Sequence, residues 1–505
     1  MKHTVRTIVF LSFVTAPLLA QVYVSPTGDD SNPGTFDQPY KTITKAYSVV
    51  SAGDTILMRG GVYDSLLTTI NLQKSGSSSA WFYLLSYPGE RPILDFSQMA
   101  VSSSNRGMRI SGSYWYVRGI DIKGAGDNGM HISGNNNIVE DCAFYENKDT
   151  GLQLSNGASN NQIINCDSYF NCDPGQGNAD GFAPKLDVGT GNSFSGCRAW
   201  QNSDDGWDGY MRGADDVSTT LTNCWSFKNG YLKDGSLSSG NGNGFKMGGS
   251  DDKTLRHNMV LNDCVAFDNK VKGFDQNNNR GSMTINNGTA YRNGLNYSIP
   301  DTLSPGKSAT VTNCVALGSY GSLNAVVVQT TNSWQSPFVV NSSDFQSTDT
   351  AGVRGSRGGD GSLPDLPFMH LAAGSDLIDA GTDVGLPYFG TAPDLGAFES
   401  SPPVFVARDE RVPQSFFVSQ NYPNPFNPET KIAYYAPRPG VVTLRLYDVV
   451  GRLVKSVDQE ISVPGSYEFR WNGTDATGAR VPSGVYLAVV QFESMSRTLK
   501  LQLLK

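Results

Sequence analysis

The chain is poor in charge: Asp, Glu, Lys and Arg make up 17% of its 505 residues, and there are only 4 histidines. Sparse charge with abundant Gly and Asn suits stacked β coils better than helices. The net charge of −8 excludes the basic footprint of a nucleic-acid-binding protein. A polyanionic ligand would have to be met by local Lys, Arg or bound cations. No Cys-x-x-Cys pair occurs among the 7 cysteines, so a zinc site built on them is not expected. Beyond the N-terminus no apolar run is long enough to cross a bilayer, so no membrane span is expected.

The N-terminus has Lys2 and Arg6, an apolar run from Ile8 to Leu19, and then Ala20-Gln21. This is the pattern of a secretory signal peptide over residues 1–20, and it places the mature protein outside the cytoplasm.

The mature chain is repetitive. Gly with a large apolar residue after it recurs as Gly129-Met130, Gly151-Leu152, Gly181-Phe182, Gly206-Trp207, Gly244-Phe245 and Gly273-Phe274. Each copy closes on a second signature. Cys142, Cys166, Cys197, Cys224 and Cys264 have Asn147, Asn171, Asn202, Asn229 and Asn269 five residues later, and Gly288 takes the Cys place before Asn293. Self-similarity of this kind means a stacked solenoid. Its segments are β-branched, aromatic and alternating with period two, and no helical stripe runs through them, which predicts an all-β parallel β-helix over residues 21–400. The Asn column is expected to be a structural ladder, each amide satisfying the next coil. The Cys column is expected to point inward as mostly free thiols, with Cys172 outside it. Before the coils, Ile43, Ala46, Val49 and Val50 share one face of a short capping helix. After them, Leu363 to Ser400 is expected to pack along the stack.

Residues 401–413 read as a linker around Pro402, Pro403 and Pro413. Residues 414–505 change to an antiparallel pattern, with strands expected near 431–435, 441–448, 467–471, 484–492 and 498–504, forming a small β-sandwich. Its segments Gln420 to Pro428, Leu446 to Arg452 and Pro482 to Tyr486 resemble the C-terminal sorting domain of type IX secretion cargo. That resemblance implies export by the type IX machinery to the surface or surroundings of a Gram-negative bacterium, and no part in catalysis.

The chemistry gathers around the repeat Gly. One residue before it stand Asn128, Thr150, Asp180, Asp205, Asn243 and Lys272; two after it stand His131, Gln153, Ala183, Asp208, Lys246 and Asp275. Strand residues alternate faces, so Asp208, Lys246 and Asp275 are expected as an exposed column, with Asp204 sharing their outward parity. Asp180 and Asp205 fall on the inward parity and must lie where the chain bends. Asp-Asp-Gly is ordinary turn chemistry. Four carboxylates on two neighbouring rungs, however, need neutralising, and an all-oxygen set suits Ca²⁺. Lys246, one rung away, stands as a base beside that cation. The combination fits β-elimination on a uronic-acid polymer.

Asn178 to Ala183, Asp204 to Asp208, Gly242 to Gly249 and Leu377 to Phe398 resemble polysaccharide lyase family 9, the Ca²⁺-dependent pectate lyase group, over roughly Val22 to Ser400. The resemblance implies a right-handed β-helix, Asp180, Asp204, Asp205 and Asp208 as Ca²⁺ ligands, Lys246 as catalytic base, and a pectic polysaccharide as substrate, with the protein acting as a monomer. Lys185, Arg212 and Arg280 lie near the cluster by repeat position and are candidate substrate-binding cations. Galacturonan and rhamnogalacturonan both remain open as the polymer cut. A hydrolase using the aspartates as acid and base, or a pectin-binding protein without turnover, are the competing readings.

Overall fold

A computed structural model describes residues 21–400, residue 65 excepted, and 417–503 with interruptions at 419–420, 422–423, 425, 437–439, 462–464 and 493–494. The signal peptide and the linker fall outside the described residues. The chain divides into two compact units, one on each side of residues 402 and 403.

The first unit is a right-handed β-helix of three parallel sheets with 12, 10 and 10 strands. Each coil turns two corners on a left-handed residue. One immediately precedes the repeat Cys or its Gly equivalent: Asp141, Asn165, Gly196, Asn223, Asp263, Asn287 and Asn313, with φ from 51° to 63°. The other precedes the ladder Asn, as at Glu146, Gln201 and Lys228. Asn, Asp and Gly tolerate this region best, and this is why they punctuate the repeat. The corners isolate three-residue strands such as Arg198–Trp200, Trp225–Phe227 and Val265–Phe267.

Inside the coil the register is continuous. Val139, Ile163, Phe194, Leu221, Leu261, Ile285 and Val311 pair in sequence through the first sheet. In the second sheet, Phe182, Trp207, Phe245, Phe274 and Tyr297 stack with ring centroids 4.8, 5.0, 5.2 and 4.9 Å apart, close to the rise between neighbouring strands. A Cβ on Gly206 would lie 2.0 Å from Ser226 Oγ and one on Gly244 2.6 Å from the Gly273 carbonyl. The repeat Gly is thus required by close approach of the next coil. All seven cysteines are free; six are buried and Cys172 is half-buried. Cys166 and Cys197 direct their thiols at the carbonyls of Val139 and Ile163 on neighbouring coils.

The capping helix spans Ile43–Val49, with Thr42 accepting from the Lys45 amide as N-cap. Ile43, Ala46 and Val50 are buried, but Val49 is exposed: at about 100° per residue it lies about 120° round from Ile43, off the covered face. At the other end Phe345, Phe368, Leu371, Leu377 and Leu395 cover Trp225, Phe227, Phe267 and Val315 of the third sheet, so the irregular stretch does pack along the stack.

The second unit pairs a three-stranded antiparallel sheet, Phe417–Val418, Thr430–Ala436 and Gly465–Trp471, with a four-stranded one, Leu453–Ile461, Gly440–Asp448, Gly484–Phe492 and Met495–Leu503. Ile432, Trp471, Leu444, Val490 and Leu501 share its core. The strand Leu453–Ile461 is absent from the sequence expectation, because its run of Lys455, Asp458 and Glu460 hides the alternation of an edge strand.

Candidate metal centre and base

The second sheet places Asp208 of Trp207–Asp208 beside Lys246 of Phe245–Lys246, and Lys246 beside Asp275 of Lys272–Asp275. Strand parity predicts an exposed column, but Asp208, Lys246 and Asp275 are 5%, 7% and 2% exposed. They do point away from the coil interior. Their partners lie on the same or neighbouring rungs and turns, Lys185 beside Asp208, Tyr210 beside Lys246 and Lys272 beside Asp275, while the insertion from Tyr231 to Gly240 closes over Ser203 and Asp204. The Ser238 hydroxyl donates to the Ser203 carbonyl at 2.6 Å, and Lys270 Nζ donates to the carbonyls of Ser238 and Gly240 at 2.9 and 2.7 Å. On leaving the insertion, the Asn241 amide donates to Asp204 Oδ1 at 2.6 Å.

Asp180 and Asp205 precede their strands, at the bend, as their parity requires. Carboxylate oxygens of Asp180, Asp204 and Asp205 lie within 4.8 Å of one another, all three side chains buried. The Asp205 amide donates to Asp180 Oδ1 at 3.1 Å and the Asn243 amide to Asp205 Oδ1 at 2.7 Å, so each rung fixes the carboxylate of the one before. Asp208 is placed differently. Its Oδ1 lies 3.2 Å from Lys246 Nζ and its Oδ2 3.3 Å from Lys185 Nζ, bridging two ammonium groups. Lys185 also binds Asp180 Oδ2 at 2.7 Å.

The electrostatics follow from crowding and burial. Asp204 is pushed up to about 9 by burial and by the charges of Asp205 and Asp180. Burial likewise raises Asp180 to about 7, with Lys185 opposing and Asp208 and Asp205 adding to it. Asp208 goes the other way: burial opposes ionisation, but Lys246 and Lys185 outweigh it and hold the carboxyl below its ordinary value. Lys246 is held well above the ordinary lysine value, since Asp208, Asp205, Asp180 and Asp204 overcome the effect of burial. Fully ionised, four carboxylates against two ammonium groups leave a deficit of two charges, which is the charge of one divalent cation.

Two acceptors mark where such a cation fits. Asp205 Oδ2 lies 3.1 Å from Lys246 Nζ, but off the line of a hydrogen bond, and has no donor. Asn243 Oδ1, on the next rung, is also buried without a donor. Orphaned buried oxygens are costly unless something satisfies them, and a hard cation with oxygen preference does so.

The other expected cations divide. Lys185 is inside the site as an ion-pair partner. Arg212 is largely exposed, binds Asp251 at 3.1 Å and lies over the Tyr210 ring, whose other neighbour is Lys246 Nζ at 5.3 Å from the ring centroid. Arg280 is engaged elsewhere, donating to the carbonyls of Lys253 and Thr302. Tyr210 and Asn243 are site residues that sequence reasoning does not single out. Tyr210 carries a usable signal, because it stands four residues after its repeat Gly, as Lys185 does on the preceding rung.

Residues 22–316 match the family model described as the Pel9A-like, right handed beta helix region, and residues 427–495 match the FlgD Ig-like domain. A Dickeya chrysanthemi protein named pectate lyase L is 40% identical over 390 residues, covering 75% of this chain and 90% of that protein. The crystal structure of pectate lyase Pel9A superposes with a TM-score of 0.71 at 38% identity, over 76% of this chain and 97% of its own. A structure titled rhamnogalacturonan lyase superposes with a TM-score of 0.63 at 30% identity, over 70% and 96%.

Proposed function

Given that the chain belongs to the Pel9A-like right-handed β-helix family and is a polysaccharide lyase, we propose that it cuts (1→4)-linked galacturonan by Ca²⁺-dependent β-elimination, with Lys246 as the base. The observation that carries this reading is the buried Lys246 ammonium, 3.1 and 3.2 Å from Asp205 and Asp208, beside a carboxylate cluster in which Asp205 Oδ2 and the adjacent Asn243 Oδ1 accept no hydrogen bond.

Asp180, Asp204, Asp205 and Asp208 would hold the cation. When bound, Ca²⁺ supplies a positive charge that binds the uronate carboxylate and acidifies its C5 proton. Lys246 takes that proton: the C5–H bond breaks, the C4–C5 double bond forms, and the C4–O bond to the departing chain breaks. For this Lys246 must be neutral. At an ordinary pKa of ~10.4 about 1% is free base near pH 8.5, a penalty of about 2.6 kcal/mol. The uncompensated carboxylates deepen that penalty, because they hold the proton on Nζ; neutralising them relieves it. An alkaline optimum is the consequence. Lys185 keeps Asp180 and Asp208 fixed, and the Tyr231 to Gly240 insertion excludes water from Asp204.

The polymer is tested directly by following ultraviolet absorbance of the unsaturated product from polygalacturonate and from rhamnogalacturonan, with and without chelator. The expected result is absorbance from polygalacturonate that chelator abolishes. Full activity in strong chelator would overturn the cation's role, and depolymerisation without absorbance would indicate hydrolysis. Preference for rhamnogalacturonan is the second reading, favoured by the likeness to that lyase.

For the second unit we propose a role in type IX export, supported by the Gln420 to Pro428, Leu446 to Arg452 and Pro482 to Tyr486 motifs. With the N-terminal signal pattern, this makes the enzyme a secreted or surface-bound protein of a Gram-negative bacterium. Removing residues 414–505 should leave turnover intact and stop release to the medium; unchanged release would overturn it.

A further inference from the structure

The column that carries Lys246 continues well beyond the carboxylate cluster. Asp208 stands in line with Ala183, since Phe182 pairs with Trp207, and the same outward face then runs through Gln153, His131, Arg109 and Asn71. Arg109 is thus four rungs from Asp208, ~19 Å at the usual strand spacing.

The chemistry of these rungs is uneven. Ala183 has no polar group. Gln153 is internally satisfied, accepting from Asn128 Nδ2 at 3.3 Å and donating to Ser155 Oγ at 3.2 Å. Two nitrogens on the next two rungs are not satisfied: His131 Nδ1 and Arg109 Nε are both buried without a partner. His131 is fully covered, and its Nε2 lies 2.8 Å from Ser155 Oγ. Burial, with Arg106 and Arg109 close by, lowers the His131 pKa to about 3, so the ring is neutral. The neighbouring Arg106 is already engaged, its Nε 3.3 Å from both Asp127 Oδ2 and Asn128 Oδ1. Among the described residues Arg109 has no carboxylate in ion-pair range. A cation without a carboxylate partner among the described residues, next to a second unpartnered nitrogen, calls for an anionic oxygen from outside.

We propose that Arg109, with the covered His131 on the neighbouring rung, forms a distal subsite that binds the carboxylate of a uronate residue far along the polymer. The inference rests on the uronan-lyase reading and extends it. A 4-linked uronan laid along the sheet advances by roughly one rung per sugar, so this carboxylate belongs to a residue about four sugars from the one at Asp208. Arg109 supplies the charge and a forked donor, while the covered, neutral His131 ring stands beside it on the next rung and competes for no anion.

The test is the binding of trigalacturonate and octagalacturonate, by calorimetry with Ca²⁺ present, to full-length Lys246→Ala, which holds substrate without turnover. The octamer is expected to bind more tightly than the trimer, and Arg109→Gln in the same background is expected to weaken octamer binding about tenfold. Arg109→Lys, which keeps the charge and loses the fork, should fall between the two and serves if the Gln variant does not fold. An octamer that binds no better than the trimer, or octamer affinity unchanged in folded Arg109 variants, overturns the inference. The uronan-lyase reading fails by a separate result, the absence of unsaturated product from the wild-type enzyme on either pectic polymer.

Discussion

Two polar columns climb the same solenoid, and they differ by one atom type. In the Asn ladder, each side-chain oxygen accepts from the Asn one rung away: Asn147 donates to Asn171, Asn171 to Asn202, Asn202 to Asn229 and Asn229 to Asn269, all at 2.9 to 3.0 Å. Each amide nitrogen donates in turn, so the column consumes its own hydrogen-bonding capacity. The column one residue before the repeat Gly also links neighbouring rungs, with Asp180 and Asp205 accepting from the next backbone amide. A carboxylate, however, has no N–H to give. Its second oxygen must find a donor outside the column, as Asp180 Oδ2 does in Lys185 and Thr150 and Asp205 Oδ2 does not, and its charge accumulates. The same stacking thus yields a closed structural ladder where the residue is Asn, and an unsatisfied anionic site where it is Asp.

The comparison breaks most sharply at Lys246. Lys246→Ala should lower kcat about a thousandfold, measured by product absorbance, while the melting temperature stays within a few degrees of wild type. The reverse is expected in the ladder. Asn202→Ala removes the acceptor of the Asn171 backbone amide and one hydrogen bond each from Asn171 Nδ2 and Asn229 Oδ1 inside the coil and should cost about 2–3 kcal/mol of stability. Thermal denaturation checks this, and kcat well below the transition should be unaltered. Turning one carboxyl of the acidic cluster into its amide sharpens the contrast. In metal-free protein Asp204→Asn removes a carboxyl that burial and the charges of Asp205 and Asp180 keep from ionising, so it should raise stability by about 1 kcal/mol while reducing the stabilisation gained on adding Ca²⁺. The smallest effect comes from the neutral rung at His131. Its folded pKa lies below the unfolded value of ~6.5, so the unfolded chain binds the extra proton and stability is lost as pH falls from ~6.5 toward 3. Between pH 7 and 6 this amounts to about 0.7 kcal/mol, and His131→Gln should flatten that part of the denaturation profile.

Most of the stacking is legible in the sequence because it is written in single residues. Gly206 and Gly244 are forced by contact with the next coil, the corner residues favour Asn, and the paired signatures fix which strand lies on which, so Asp208, Lys246 and Asp275 align without coordinates. Burial is not legible. Parity tells that Lys246 points away from the coil; it cannot tell that the Tyr231 to Gly240 insertion returns over Asp204, because insertions carry no period. Lys185 and Arg280 are similar for the same reason: repeat position gives the rung, while the partners, Asp180 and Asp208 for one and the Lys253 and Thr302 carbonyls for the other, come from turns of irregular length. Val49 is misplaced because its angle around the helix, about 120° from Ile43, puts it off the face that Ile43, Ala46 and Val50 cover.

The central claim, that Asp180, Asp204, Asp205 and Asp208 hold a cation whose charge Lys246 opposes, is tested most directly by calorimetric titration of Ca²⁺ into the full metal-free chain. One ion per chain is expected, with binding lost in Asp205→Asn and at least as tight in Lys246→Ala, which removes a competing positive charge. An absence of binding, or a stoichiometry and affinity unchanged in Asp205→Asn, would contradict it.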